Sequence, residues 1–305
     1  MSIRFDGQVA IITGAGRGLG RTHALALAER GARVVVNDLG VDGGNSENAL
    51  AVVAEIEAAG GAAIANGANV ADFEQVTDMV KQTMDKWGRV DILINNAGIL
   101  RDKTFAKMSI EDFKLVVDVH LMGTANCTKA VWDIMREQQY GRIVFTTSST
   151  GLYGNFGQSN YGAAKMAMVG LMNTLHLEGA KSDIRVNCLA PGAGTAMTDG
   201  LLPKQVFDLL TPESVSPGAV YLVSKDAPSR KVLAAAGGSF AIFKGLETTG
   251  LSLLPDNLSA EGVAAAWSAI DDDSEMRELQ AGFEQPTKFA GQAAAALGID
   301  LSAKG

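Results

Sequence analysis

Short apolar runs recur along the first two thirds of the chain, each closed by glycine or a polar turn and followed by a stretch of helical periodicity. Residues 9–13, 33–37, 62–66, 90–94, 142–146 and 184–189 read as strands, and the run VAIIT at 9–13 shows no polar alternation. Unbroken β-rich runs of this kind are expected of strands covered on both faces. Residues 21–30, 46–59, 73–87 and 111–138 read as helices, as does the segment carrying Tyr161 and Lys165. Strand and helix alternate through short connections, which predicts an α/β fold: a doubly wound, Rossmann-like parallel sheet with right-handed crossovers and helices on both faces. Residues 151–160 read as a loop, 195–210 as a mobile apolar lid, and 232–236 as a last strand ending in Gly237-Gly238.

The chain then continues for dozens of residues. Leu258-Ser259-Ala260-Glu261 reads as a capping box opening a helix that carries Trp267 and Ile270, with more helix to about Leu297. The expected division is therefore an α/β domain over 1–245 and a mainly helical extension over 246–305, packed on the core or on a partner subunit.

Composition narrows the function classes. Of 305 residues, 47% are hydrophobic and 20% charged, which supplies a large core and excludes a disordered chain. A net charge of -8 without a Lys/Arg run argues against nucleic acid as a partner. Two cysteines, Cys127 and Cys188, make neither a disulfide framework nor a metal cluster, so no metal is expected. No apolar stretch is long enough to span a membrane. The start reads directly into a strand rather than a signal peptide, and Ser302-Ala303-Lys304-Gly305 is not a peroxisomal address of the SKL type, so the expected compartment is the cytoplasm.

Candidate chemistry gathers at one edge of the sheet, where each strand hands over to its helix. Thr13-Gly14-Ala15-Gly16-Arg17-Gly18-Leu19-Gly20 follows the first strand. Such a turn lets backbone N–H groups approach a pyrophosphate at a helix N-terminus, the alternative being a glycine-rich turn without a ligand. Asp38 ends the second strand, where a carboxylate accepts hydrogen bonds from adenosine ribose hydroxyls and repels a 2′-phosphate. Two unit charges 4 Å apart cost about 4 kcal/mol at an effective dielectric of 20, which favours NAD over NADP. Arg17 could offset that by pairing with the phosphate, and Asp38 could instead only begin a polar loop. Asn69 and Val70 fall where an adenine edge would lie, and Asn95-Asn96-Ala97-Gly98 either walls the cofactor or forms a structural turn. Ser148 ends the fifth strand. Tyr161 and Lys165 stand one helical turn apart, so the lysine cation is expected to lower the phenol's pKa and make it a usable proton acceptor.

Taken together, Thr13-Gly14-x3-Gly18-x-Gly20, Asn95-Asn96-Ala97-Gly98, Ser148, Tyr161-x3-Lys165 and Pro191-Gly192 resemble the short-chain dehydrogenase/reductases in order and spacing. That resemblance implies Tyr161 as general acid/base, Lys165 as its partner and a ligand of the nicotinamide ribose, and Ser148 as the group that orients the substrate oxygen. It implies a cofactor site of Gly14, Gly16, Arg17, Gly18, Leu19, Asp38, Asn69, Val70, Asn96, Ala97, Gly98, Tyr161, Lys165, Pro191, Gly192 and Thr195. Ser148, Tyr153, Phe156, Met197 and Leu201 are the corresponding substrate residues, and Leu202 lies in the same lid. Where most members carry a relay asparagine, this chain has His120, either a proton relay or a packed helix residue.

Val36-Asn37-Asp38-Leu39-Gly40, Asn96 to Asp102 and Tyr153 to Gln158 look closest to one branch, the (3R)-hydroxyacyl-CoA dehydrogenase units of type 2 peroxisomal multifunctional enzymes, also known as type 4 17β-hydroxysteroid dehydrogenases. The branch carries a comparable tryptophan-bearing extension. It implies NAD-dependent oxidation of a 3-hydroxyacyl-CoA in β-oxidation, a sterol-derived acyl group or a 17β-hydroxysteroid as further substrates, and a homodimer or homotetramer. With no hydratase or sterol-carrier unit in the sequence, a stand-alone dehydrogenase is expected. The rival readings are an NADP-dependent 3-oxoacyl-carrier-protein reductase and a non-catalytic binding scaffold.

Overall fold

The computed structural model describes residues 2–41, 44–195 and 203–301. Met197, Leu201 and Leu202 of the expected lid, and the tail at 302–305, lie outside the described residues. The chain divides into two units, Met1–Phe243 and Lys244–Gly305.

The first unit alternates strand and helix: β1 Val9–Ile12, α1 Gly18–Glu29, β2 Arg33–Asn37, α2 Glu47–Ala58, β3 Ala62–Asn66, α3 Phe73–Trp87 and β4 Ile92–Asn95. It continues with α4 Ile110–Val117, α5 Gly123–Gln138, β5 Gly141–Thr146, α6 Ser149–Tyr153, α7 Ser159–Gly179, β6 Ile184–Gly192, α8 Lys204–Leu209, α9 Ser216–Leu222, β7 Val232–Ala236 and β8 Ser239–Phe243. The sheet order is β3-β2-β1-β4-β5-β6-β7-β8, parallel from β3 through β7, with β8 antiparallel at the edge.

Alternate strand residues feed opposite cores, because successive side chains of a strand point to opposite faces. Ile12, Val34, Val36, Ile92 and Ile94 pack with Leu27, Ile56 and Ala219 on one face, while Ile11, Val35, Leu93 and Ile143 pack with Met79, Val131 and Met172 on the other. Strands apolar on both faces are thus covered by helices on both, as the unbroken runs predict. Helix α2 starts where Ser46 accepts the Ala49 N–H, and α3 where Asp72 accepts those of Glu74 and Gln75.

Three elements differ from the sequence expectation. The helix expected over 111–138 is α4 and α5 joined by a π-turn at Asp118–Met122 that carries His120. The loop expected over 151–160 contains α6, begun by Ser148, and α7 starts two residues before Tyr161. β8 returns along β7 after the positive-φ pair Gly237-Gly238, where no strand was expected.

The edge of the sheet opposite the strand C-termini is pinned by charge. The buried Arg142 guanidinium donates to the carbonyls of Gly141, Asp183, Ser224 and Lys225 and to the Asp183 carboxylate at 3.0 Å. The buried Asp91 carboxylate accepts the Val9 N–H at 2.8 Å and pairs with Arg89 at 2.7 Å.

The second unit contains β9 Glu247–Thr248, α10 Ala260–Ala265, α11 Trp267–Ile270, β10 Met276–Arg277 and α12 Glu284–Leu297. Ser259 caps α10 through the Gly262 N–H, but Glu261 stands one position too early to return the bond, so the expected box is a single cap. Lys288, on α12, donates to the Glu247 carboxylate at 2.5 Å and to the Thr248 carbonyl at 3.0 Å. Among the described residues no helix is long and apolar enough to cross a membrane, and none of their side chains form a metal-ligating cluster.

Candidate active site

The sheet order reverses between β1 and β4, and open α/β sheets bind ligands in the crevice at such a point, outside the strand C-termini. Two turns meet there. The Thr13 hydroxyl accepts the N–H groups of Asn96 and Ala97, each at 3.0 Å. Asn96 answers through Nδ2, which donates to the carbonyls of Thr13 and Gly14 at 3.0 and 3.1 Å. The Asn96 side chain therefore clamps the glycine-rich turn to the wall of the crevice. Gly14 holds φ +61°, and a Cβ there would stand 2.8 Å from the Ala97 Cα. A Cβ on Gly20 would strike the Gly14 carbonyl, so the helix can begin this close to the turn only with glycine.

The Ala15 N–H donates to the Asn37 carbonyl at 2.8 Å, which ties the turn to β2 and brings Asp38 beside it. Ser46 donates to the Asp38 carboxylate at 3.1 Å, and a Cβ on Gly16 would overlap that carboxylate. Arg17 is exposed at the N-terminus of α1, whereas Leu19 packs against the core. The Asn37 amide donates to Asn66 and to the Ala68 carbonyl, shaping the segment that leads to Asn69 and Val70. Val70 is buried and its carbonyl accepts from Asn126 at 3.0 Å. Asn69 turns its oxygen to the Ala71 N–H. Pro191 and Gly192 end β6 opposite Ala235 and Ala236, and Thr195 stands by Gly18, 3.5 Å from where a Cβ on that glycine would lie.

The reacting groups lie beside this crevice. Ser148 and Lys165 are buried, and the Ser148 hydroxyl lies near enough to the Tyr161 phenol to favour its ionised form. Lys165 donates to the Thr146 carbonyl at 2.5 Å, and its ammonium sits 5.4 Å from the Tyr161 ring centroid. Burial pushes the phenol above its ordinary value; the Ser148 hydroxyl works downward and the Asp102 carboxylate upward. Burial also lowers Lys165 to about 7. On balance the phenol stands above its ordinary value with burial the largest cause, whereas the sequence expectation concerns the pull of Lys165 alone. The Lys165 ammonium lies over the ring, and burial opposes its own charge.

His120 stacks edge-on to Tyr161 with centroids 5.1 Å apart. Its Nε2 lies 3.0 Å from the Ile99 nitrogen and 2.8 Å from the Ile99 oxygen, while Nδ1 is buried without a partner. Burial, with Lys165 nearby, lowers its pKa to about 3, so the ring is neutral. Gly98 makes room for it: a Cβ there would meet the imidazole Cε1.

Tyr153, at the end of α6, stands edge-on to Phe243 and is 74% exposed; Phe156 is 89% exposed. The loop holding Phe156 is fastened to the segment after β4. Gln158 donates to Asp102 at 2.7 Å, the Asn160 amide donates to the Arg101 carbonyl at 3.1 Å, and Lys103 N–H donates to the Gly157 carbonyl at 2.9 Å. Sequence reasoning gave no role to Thr13, Asn37, Asn126 or Gln158. Their contacts span distant segments, and only the conspicuous position of Thr13 at a strand end could have flagged one of them.

The family described as short chain dehydrogenase matches residues 8–205. The chain is 44% identical over 285 residues to peroxisomal multifunctional enzyme type 2 of Mus musculus, covering 91% of this chain and 38% of that one. The full-length structure of peroxisomal multifunctional enzyme type 2 from Drosophila melanogaster is similar at a TM-score of 0.82 and 36% identity, over 97% of this chain and 51% of that one. A 7α-hydroxysteroid dehydrogenase solved with NADH and 7-oxo glycochenodeoxycholic acid is similar at a TM-score of 0.70 and 31% identity, over 77% of this chain and 95% of that one. The chain thus spans about half or less of the multifunctional relatives' length.

Proposed function

Because this chain belongs to the short chain dehydrogenase family, we propose that it is an oxidoreductase that uses NAD to oxidise a (3R)-3-hydroxyacyl-CoA to the 3-oxoacyl-CoA in β-oxidation. The observation that carries the narrower reading is the likeness to multifunctional enzymes along 91% of the chain, beyond the matched family segment into the C-terminal extension. In this reading the protein works as a homodimer or homotetramer in the cytoplasm, although the named relatives are peroxisomal. It also takes sterol-derived acyl groups or 17β-hydroxysteroids, a reading that the hydroxysteroid dehydrogenase likeness supports.

The bound nicotinamide would accept the hydride from C3 of the substrate. The chain's own residues do the rest. Gly14 and Gly16 let the turn pack against Ala97 and Asp38 at the start of α1, where a pyrophosphate would bind, and Asp38, steadied by Ser46, offers acceptors for the ribose hydroxyls while repelling a 2′-phosphate. Ser148 orients the substrate hydroxyl from beside Tyr161. Tyr161 takes the hydroxyl proton, and it can do so only as phenolate. With one proton between them, Tyr161 and Lys165 can hold it as phenol and amine or as phenolate and ammonium. The second arrangement is the reactive one; the raised phenol and the lowered amine make it the minor one at neutral pH, and raising the pH increases the phenolate.

A substrate panel of 3-hydroxyacyl-CoA thioesters and 17β-hydroxysteroids, run with NAD and with NADP, tests the proposal. Turnover of neither class sinks the substrate reading, and a clear NADP preference sinks the role given to Asp38. The exposed Arg17 beside the turn favours that second outcome, which would suit an NADP-dependent 3-oxoacyl-carrier-protein reductase.

A further inference from the structure

We propose that the segment following β4, from Arg101 to Lys107, together with Phe156, binds the adenosine phosphate end of a coenzyme A thioester at the mouth of the active site. This rests on the thioester reading above and deepens it. The chain carries a net charge of -8, which opposes the approach of a polyanionic substrate unless cations are placed locally. Arg101, Lys103 and Lys107 supply them within seven positions, all on exposed side chains.

Their charge is only partly used. Arg101 and Lys103 share one carboxylate, that of Asp112, at 3.8 and 3.6 Å, and Lys107 has no ion-pair partner among the described residues. The neighbouring acid, Asp102, is turned to the Gln158 amide. Two phenyl rings on the same two segments have little cover, Phe105 at 75% and Phe156 at 89% exposed, the latter next to Gly157, whose carbonyl accepts the Lys103 N–H. Base stacking on exposed aromatic rings beside phosphate-binding cations is a general way of holding a nucleotide.

The placement is fixed by contacts at both ends of the segment. Asn160 holds the Arg101 carbonyl, Gly157 holds the Lys103 N–H, and the Ser159 hydroxyl reaches the Met108 sulfur at 3.7 Å. The residues making those contacts immediately precede Tyr161. A substrate whose reacting carbon is at Tyr161 would therefore leave the crevice alongside this surface, with its phosphates at the lysines and its adenine at a phenyl face.

The test compares a 3-hydroxyacyl-CoA with the same acyl group on N-acetylcysteamine, which ends before the nucleotide. In the full chain, R101A/K103A and, separately, K107A should lower the ratio of kcat/KM for the CoA ester to that for the truncated ester. The double variant should lose about tenfold or more, the range of a lost charge-assisted contact. Adenosine 3′,5′-bisphosphate should compete with the CoA ester in the wild type and compete less well in F105A and F156A. An unchanged ratio, equal losses on both esters, or a changed oligomeric state by light scattering would overturn the proposal; the last would make the surface a subunit contact. Wild-type protein inactive on both esters would overturn the thioester reading and this inference with it. Normal turnover of CoA ester by every variant would overturn this inference alone.

Discussion

At Tyr161 and Lys165 a half-buried phenol and a buried amine compete for charge, and the outcome sets the pH dependence of catalysis. The Tyr161 phenol lies above its ordinary value because burial opposes its ionisation. Oxidation needs the phenolate, so kcat/KM for oxidation should rise with pH through neutrality into the alkaline range, while reduction, which needs the phenol, should fall. A pH profile in both directions checks this. Tyr161→Phe should reduce turnover by a factor on the order of 100 to 10,000 while cofactor binding, followed by fluorescence titration, persists. The helical spacing of the pair was legible in the sequence; the burial that sets the net pKa shift was not. Spacing reports proximity, whereas the shift follows from burial contributed by residues far away in the chain. A second buried base bears on stability. His23, bonded through Nδ1 to Ser216 at 2.9 Å, is lowered to about 4 by burial. Its contribution is complete above the unfolded value near 6.5 and is lost as pH falls from there towards 4, on the order of 3 kcal/mol. His23→Gln should flatten that part of the acid limb in thermal melts taken across pH.

At the scale of elements, the site depends on how turns are fastened to one another. Asn96→Ala removes the bonds to the Thr13 and Gly14 carbonyls, for a loss of about 1–3 kcal/mol in urea unfolding. It should also weaken cofactor binding, because the glycine turn loses its backing. The elements carrying these turns were largely legible, since strands covered on both faces give unbroken apolar runs and the intervening helices give clear periodicity. Three features were not. The π-turn at His120 leaves the periodicity of the flanking helices intact, and α6 is a five-residue helix whose cap, Ser148, already had a catalytic reading. The strand β8 hides behind Gly237-Gly238, which reads equally well as the end of a domain. His120 shows the same limit in side-chain terms. Its packing against Gly98 and Tyr161 is set by a residue with no side chain and another on a distant helix.

Across the whole molecule, the first unit separates stability from chemistry along the strand axis. One end of the sheet holds the glycine turn, Ser148 and the Asn96 clamp; the other holds Arg142 and Asp91. Arg142 is buried and bonded to four carbonyls and a carboxylate. Removing it with Arg142→Ala strands those acceptors and should cost about 3–5 kcal/mol, the range found when a buried pair is broken. Cofactor affinity in the variant, measured below its unfolding transition, should stay near that of the wild type. In the second unit Ala294 alone is buried among the described residues, and the Lys288–Glu247 pair ties α12 to β9.

The Thr13–Asn96 clamp joins positions 83 apart in the chain, and β1 pairs with β4 only across the three intervening crossovers. Contacts between such distant positions form slowly, because the loop between them must close before the bond rewards it. A refolding chain that has built β1, β2 and β3 but not yet β4 has the glycine turn without its backing. Cofactor binding during refolding should therefore appear with the slow phase that seats β4, later than the recovery of helical signal.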